Sequence, residues 1–449
     1  MTGLAAFYAI VGIFLIGIGA LKPKWLWPTL IIITIISSGE MVLENTYVDE
    51  FLVGCLLFGI FLAIMVGPGT SRKIPATTLS RLSEWVFLLM VLYMLVQSWR
   101  GMLVLESLQK IRWVVYYLMI GALSFIISFK NFPVPSGRNI SLIVSSSTLL
   151  YLVLYVGHGL ISEIFFGINR YDLQLIYWGT SAYALFPVAI GIPSALLLLQ
   201  DEKKLYNWLG WATLIAGIIA AFYYDSRVSL LSIAVFLITF IPRLGFRKVV
   251  KFSLIFAFIM VFGFSFLLPN YYKNVDNLKH DFLGLTETIQ NPNKSNMDMD
   301  RLVMLQSAFK SVTENWETFF FGYGFRTYGY IISPKMRELY YSQHRPEMAR
   351  NTKEDPGAET FTALVVDTGF VGFLLWTICF LLIAWRIFIQ RGNPGRMILL
   401  SSLSIIFLWS LVIYYLDIIL LYFAIMPSGL LIQLSRYRTE EPPPGENPL

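Results

Sequence analysis

The strongest constraint on this chain is its succession of apolar runs, each about the length needed to cross a bilayer. A helix rises 1.5 Å per residue, so roughly 20 apolar residues cover about 30 Å of hydrocarbon. On that rule the sequence contains about thirteen candidate spans. They are Leu4–Leu21, Trp25–Val42, Phe51–Val66, Leu82–Trp99, Ile111–Phe129, Ile140–Leu160 and Leu175–Leu199, then Leu205–Tyr224, Val228–Pro242, Val249–Pro269, Phe361–Trp385, Met397–Tyr415 and Ile418–Leu434. Composition agrees. The 449 residues are 56% hydrophobic and 14% charged, too little charge to cover a soluble surface. An aromatic share of 16% suits Trp and Tyr belts at the two interfaces. The sequence therefore predicts an all-α polytopic membrane protein with about 12–13 transmembrane helices.

Charge orients the spans. With Lys22 and Lys24 in the cytoplasm, the loops holding Arg72, Lys73 and Arg81, then Lys130 and Arg138, then Lys203 and Lys204, fall on the same side. So do Arg243–Lys251, Arg386–Arg396 and Arg436–Arg438, as the positive-inside rule asks. This predicts an external N-terminus and a cytoplasmic C-terminus. Met1-Thr2-Gly3 lacks the basic region of a cleavable signal, and Leu4–Leu21 is long enough to span. Four regions follow: an N-terminal bundle (1–269), a long external insert (270–360), C-terminal helices (361–435), and a disordered tail (436–449) carrying Pro442-Pro443-Pro444. No repeat and no folded soluble domain is visible. Cys55 and Cys379 both sit in apolar runs and read as small buried hydrophobes.

Polar residues on the external side are the candidates for chemistry. Arg227, in the turn Tyr223-Tyr224-Asp225-Ser226-Arg227, runs against the charge bias. It is either a helix-end arginine paired with Asp225 or an anion clamp, since a guanidinium offers a fixed fork of donors to phosphate. Arg301 opens an amphipathic helix with Leu302, Leu305, Phe309 and Val312 at helical spacing, and Asp298 or Asp300 as its N-cap. It reads as a partner to a nearby acid or as a second cation aimed at the same anion. Asp298-Met299-Asp300 has the Asp-x-Asp spacing of metal-dependent transferases, but capping explains it equally. Phe321-Gly322-Tyr323-Gly324 is a glycine-punctuated turn, followed by Arg326 and Tyr328. Tyr323 and Arg326 are open to sugar or phosphate contact, or to a purely structural turn. His344 lies in a charged run with Gln343, Arg345, Glu347 and Arg350, and no His pair has metal-ligand spacing. Glu359 precedes the span Phe361–Trp385, as a helix-start acid or as a base for an acceptor hydroxyl. Asp367 lies two turns deeper, where an acid faces a cavity or a partner.

Three of these segments, in order and on one side, carry a family likeness. Asp225-Ser226-Arg227-Val228-Ser229-Leu230-Leu231 is a Ser-Arg turn leading into a span. Arg301–Phe309 followed by Phe321–Gly324 is an Arg-led helix and glycine turn. Thr362–Gly372, with Asp367, Gly369 and Gly372, is an acid-x-Gly-x-x-Gly span. Together, over roughly residues 205–385, the pattern resembles the O-antigen ligase and Wzy-type O-antigen polymerase superfamily. The resemblance implies a GT-C-like glycosyltransferase in the bacterial cytoplasmic (inner) membrane, acting at its external face on a polyprenyl-pyrophosphate-linked oligosaccharide. It implies Arg227 and Arg301 as catalytic cations, with Arg326, Tyr323, His344 and Asp367 on the substrate side and no metal or cofactor. It admits a chain-length regulator or flippase as protein partner beside the lipid bilayer, and no nucleic acid. The family's ligases carry a His-Asn pair before the last of these spans; here those positions hold Ala358 and Glu359. Glu359 as the base favours a polymerase, with His344 reaching in as the alternative.

Two rivals stand beside this reading. A flippase or transporter of lipid-linked glycans carries inverted repeats and mid-membrane charges, and few are present here. An enzyme using a polyprenyl monophosphate sugar would draw on acids of the first external loop, such as Glu40, Glu44, Asp49 and Glu50.

Overall fold

The computed structural model describes residues 2–21, 42–43, 46–47, 78–106, 137–157, 191–199, 201, 203–223, 297–343, 346–352 and 360–389, with scattered single positions between them. The described residues are helical apart from one small antiparallel pairing, β1 (Val42–Leu43) with β2 (Thr46–Tyr47), in the register Val42–Tyr47 and Leu43–Thr46. The helices are α1 (Thr2–Leu21), α2 (Thr78–Val104), α3 (Gly137–Leu152), α4 (Lys204–Tyr223), α5 (Met297–Val312), α6 (Trp316–Phe321), α7 (Tyr328–Ser342), α8 (Pro346–Asn351) and α9 (Thr360–Ile389). A π-helical turn, Val153–Gly157, continues α3.

Five expected spans coincide with α1, α2, α3 with its π-turn, α4 and α9. Among the described residues two segments are long and apolar enough to cross a membrane, Trp85–Val104 in α2 and Phe361–Leu382 in α9. The span Leu175–Leu199 is described from residue 191 and is helical there. The remaining expected spans lie wholly or mostly outside the described residues. The start of α3 meets the start of α4. Arg138 pairs with Asp201 at 2.6 Å and stacks over Tyr206, with Lys203 on the same ring. Arg100, at the far end of α2, pairs with Glu317 of the insert at 2.9 Å.

α2 and α9 pack against each other. Tyr93 donates its hydroxyl proton to the Thr368 carbonyl (2.7 Å). The α9 helix is broken at Gly369, whose φ of 64° and ψ of −171° are not helical. A second glycine, Gly322 (φ 67°), is pressed against that break. A Cβ on Gly322 would lie 2.5 Å from the Asp367 carbonyl carbon, and one on Gly369 would lie 2.5 Å from the Gly322 nitrogen. Both positions need the left-handed backbone and the missing side chain at once.

The sequence shows no folded domain between the spans, yet the second half of the insert is well packed. Val303, Ala308 and Val312 of α5, Tyr328, Ile332, Met336 and Tyr340 of α7, and Ala349 of α8 form one core with Ala363 and Val366 of α9. The first two turns of α9 therefore belong to the body of the insert, past the boundary expected at residue 360. α5 also differs from its expected form. It begins at Met297, so Asp298 and Asp300 lie in its first turn instead of capping it. The expected apolar stripe is largely outward: Leu302, Leu305 and Phe309 are exposed, Phe309 at 71%. The buried face is Val303, Ser307, Ala308, Ser311 and Val312. Small residues let α7 approach. The two serines tolerate burial because Ser307 and Ser311 each donate to the carbonyl four residues back, at 2.7 and 2.8 Å.

Alanine at Gly322 or Gly369 is expected to destabilise the protein by more than about 2 kcal/mol, combining positive-φ strain with backbone overlap. Thermal unfolding in detergent checks this. An alanine variant with an unchanged midpoint would mean that the two backbones are not in contact.

Candidate functional site

The turn that follows α6 is the point where the insert is fastened to the spans. Its backbone is committed residue by residue. Tyr323 N–H donates to the Val366 carbonyl (3.0 Å), Gly324 N–H to the Asp367 carbonyl (2.8 Å), and Phe325 N–H crosses to the Gln97 carbonyl of α2 (2.8 Å). The Asp367 carboxylate takes the next three donors. Arg326 N–H reaches Oδ2 at 2.8 Å, and Thr327 and Tyr328 N–H reach Oδ1 at 3.0 and 2.7 Å. The last two belong to the N-cap and first residue of α7, where the helix dipole also favours a negative charge. Thr327 makes no side-chain cap of its own; its hydroxyl donates to the Gly324 carbonyl (2.7 Å). Asp367 is thus an N-cap supplied from another helix. It is 1% exposed, and the partner that makes so deep an acid tolerable is this turn.

The ring contacts repeat the pattern. Phe325 is buried and meets Tyr117 edge-on (5.6 Å). Phe319 of α6 stacks on Phe370 just past the kink (5.8 Å, 18°). At the opposite end of α6, Asn315 caps the helix by accepting from Thr318 N–H (2.8 Å).

A polar cluster ties α5 to α7 beside the turn. Tyr323 donates its hydroxyl to the Ser311 carbonyl (2.9 Å), with Glu314 Oε2 at 3.1 Å. Glu314 pairs with Lys335, and Lys310 with Glu338 at 3.0 Å. The hydrogen bond from Lys335 is the main reason the Glu314 carboxyl lies below its usual range. Burial first, and the Glu314 charge second, raise the Tyr323 phenol above its own.

Of the candidate residues, the structure brings Tyr323, Arg326 and Asp367 together at this fastening. Arg326 is a non-glycine residue at φ 67°, with a partly exposed side chain. Backbone conformations of that kind concentrate where surrounding structure over-determines them. Arg301 opens the second turn of α5, and its side chain is outside the described part, as are Arg227, His344 and Glu359. Sequence reasoning missed Gln97 and Arg100, which receive the turn from the α2 side. The polar run Gln97-Ser98-Trp99-Arg100 inside an apolar helix was the available signal. Among the described residues no group of His, Cys, Asp and Glu could hold a metal ion.

These features describe a helical protein in which a polar insert is clamped between two helices long and apolar enough to cross a membrane. Residues 212–377 match the family described as O-antigen ligase. That match runs from α4 through the insert to the kinked half of α9 and supports membership of the O-antigen ligase/Wzy-type superfamily. The family suggests glycan transfer of the ligase or polymerase type by a membrane protein acting on lipid-linked oligosaccharide. No curated protein matches the chain.

Two outcomes are expected. Asp367→Ala removes the acceptor of three N–H groups; Thr327 keeps the Gly324 carbonyl at 3.3 Å, so those of Arg326 and Tyr328 are left unpaired at about 1–3 kcal/mol each, while Asp367→Asn keeps one oxygen for Thr327 and Tyr328. Thermal midpoints should fall in the order wild type, Asn, Ala; equal midpoints would remove the trans cap. Glu314, with its lowered folded pKa, contributes stability that is present above the unfolded carboxyl pKa and lost as pH falls through the folded value. The Glu314→Gln variant should therefore lie below wild type at neutral pH, by no more than about 1 kcal/mol for so exposed a pair, and converge with it in acid.

Proposed function

We propose that this protein is a membrane glycosyltransferase that joins lipid-pyrophosphate-linked oligosaccharide repeats into O-antigen, capsule or exopolysaccharide at the external face of the bacterial cytoplasmic membrane. The observation that carries this reading is the family match over residues 212–377, which encloses Arg227, Arg301, the glycine turn and Asp367 in one segment. The proposed architecture is a polytopic, GT-C-like bundle with the insert above it.

In the proposed reaction the anomeric carbon of the donor sugar carries a polyprenyl pyrophosphate leaving group at headgroup level. A hydroxyl of the acceptor glycan attacks that carbon as the bond to the pyrophosphate oxygen breaks, with inversion in one displacement. Arg227 and Arg301 offset the charge growing on the pyrophosphate, and Glu359 takes the hydroxyl proton. Arg326, Tyr323 and His344 contact sugar or phosphate from the insert. Asp367 serves the site through position, by holding the Arg326 backbone. The packing supports this assignment. Val303, two residues after Arg301, and Ala363, four after Glu359, share one core. The helix that carries the proposed cation and the helix that follows the proposed base therefore share one packed core, as preorganised catalysis requires.

The second reading is ligation of a finished glycan to a lipid or protein acceptor, favoured by the matched family's own description. The glycan size profile of a strain lacking the gene separates the two. Collapse of a ladder to one repeat unit supports polymerisation, and full-length polymer stranded on its carrier supports ligation. In the complemented strain, Arg227→Ala and Arg301→Ala are each expected to reduce polymer by about 10²–10³-fold, the usual cost of losing one preorganised charge-stabilising group. The variant must reach the membrane at wild-type level. Near-normal polymer from either would remove that residue from the mechanism.

A further inference from the structure

α6 presents an unusual surface for an extramembrane helix. Trp316 is 72% exposed, and Phe319, Phe320 and Phe321 are each partly exposed, so four of its six side chains are large aromatics turned outward. The exposed patch is not isolated. Phe319 stacks on Phe370, and Phe370 heads an outward stripe on α9 that continues through Leu374, Ile378, Leu381 and Trp385 at helical spacing. On a spanning helix such a stripe faces lipid.

Depth follows from two independent markers. The Arg100–Glu317 ion pair joins the end of α2 to the second residue of α6, and charges of this kind belong at headgroup level. The Gly369 kink is at the same height, because the turn bridges Gln97 of α2 and Val366–Asp367 of α9. Below that height, Leu82–Trp99 of α2 and Phe370–Trp385 of α9, bounded at their far ends by Arg81 and Arg386, run for 18 and 16 residues, about 27 and 24 Å of helix, close to the thickness of the hydrocarbon. α6 is therefore level with the boundary of the external leaflet, with its aromatic side continuous with a lipid-facing stripe.

We propose that α6 is an interfacial anchor, whose Trp316, Phe319, Phe320 and Phe321 side chains insert into the headgroup–acyl boundary of the external leaflet and hold the insert at a fixed height over the bilayer. Trp is enriched in this zone and Phe fills the apolar side of in-plane interfacial helices, while Glu317 among them is held by Arg100. The inference rests on reading α2 and α9 as spans with the insert external, and adds a membrane contact outside those spans.

The test uses the full chain in phosphatidylethanolamine–phosphatidylglycerol nanodiscs. In a Cys55→Ala/Cys379→Ala background, nitroxide labels are placed at Phe320→Cys, at Glu338→Cys as the aqueous reference, and at Leu381→Cys as the lipid reference. Collision with oxygen is compared with collision with a water-soluble nickel chelate. The expected result is a Phe320 label that favours oxygen, at a depth of about 5–10 Å, as for an in-plane amphipathic element. A Phe320 label that meets the nickel chelate as freely as Glu338, while Leu381 favours oxygen, overturns the anchor and leaves the spans intact. A Leu381 label accessible to nickel overturns the spanning reading and the anchor with it. Shielding of Phe320 from both reagents means a protein cover and also overturns the anchor. If the cysteine-free background does not fold, p-benzoylphenylalanine at Phe320 in the otherwise native chain gives the same decision: phospholipid adducts support the anchor, and labelling as sparse as at Glu338 overturns it.

Discussion

One carboxylate organises the described part of this molecule. Asp367 accepts three consecutive backbone N–H groups at the start of α7, from a position inside a helix apolar enough to span. A buried charge is costly unless its hydrogen bonds are made, and buried helix-start N–H groups are costly unless something accepts them. Each resolves the other's cost only if the turn and α9 are held in register. The kink at Gly369 and the left-handed Gly322 make that register possible by letting two backbones come within van der Waals contact. The bond from Phe325 N–H to Gln97 then fixes the same turn to α2. Local backbone chemistry, helix packing and the attachment of the insert thus depend on one another.

Much of this was legible in the residues, and the division is physical. The helices α1, α2, α4 and α9 followed from apolar length, and the glycine turn from the Phe-Gly-Tyr-Gly run. The need of Asp367 for a partner followed from its depth. The partner itself did not, because a trans cap pairs residues about 40 positions apart and leaves no local periodicity. The packing of α5 was misread for a different reason. Leu302, Leu305 and Phe309 make the louder apolar pattern, yet the core chose Val303, Ser307, Ala308 and Ser311, since close approach to α7 rewards small side chains and serines that bond their own helix.

The same logic explains why the proposed chemistry draws its residues from separate segments. A site for lipid-linked glycan must lie where a polar pyrophosphate meets an apolar tail, so its groups come from the external ends of helices and from the insert. Such ends are the least constrained parts of a helical bundle. Fastening the insert at Asp367, through a core shared by α5, α7, α8 and the first turns of α9, holds the described part of the insert and the start of α9 in one packed unit. Glu314 and Lys335 brace that body on its water side, where the ion pair adds little energy but fixes the Tyr323 hydroxyl against the end of α5.

Height over the bilayer is the remaining degree of freedom. Hydrogen bonds to Val366, Asp367 and Gln97 set where the insert touches two helices, but two helices can tilt together. An aromatic helix seated in the interface would oppose that tilt, since lifting it exposes large rings to water and sinking it buries the Arg100–Glu317 pair. For a reaction whose leaving group is confined to headgroup level, a vertical error of a few ångströms separates reacting atoms as surely as a lateral one. On the proposed reading, the clamp at Asp367 and the aromatic face of α6 would act on one coordinate, the distance between the insert and the plane in which the proposed substrate is held.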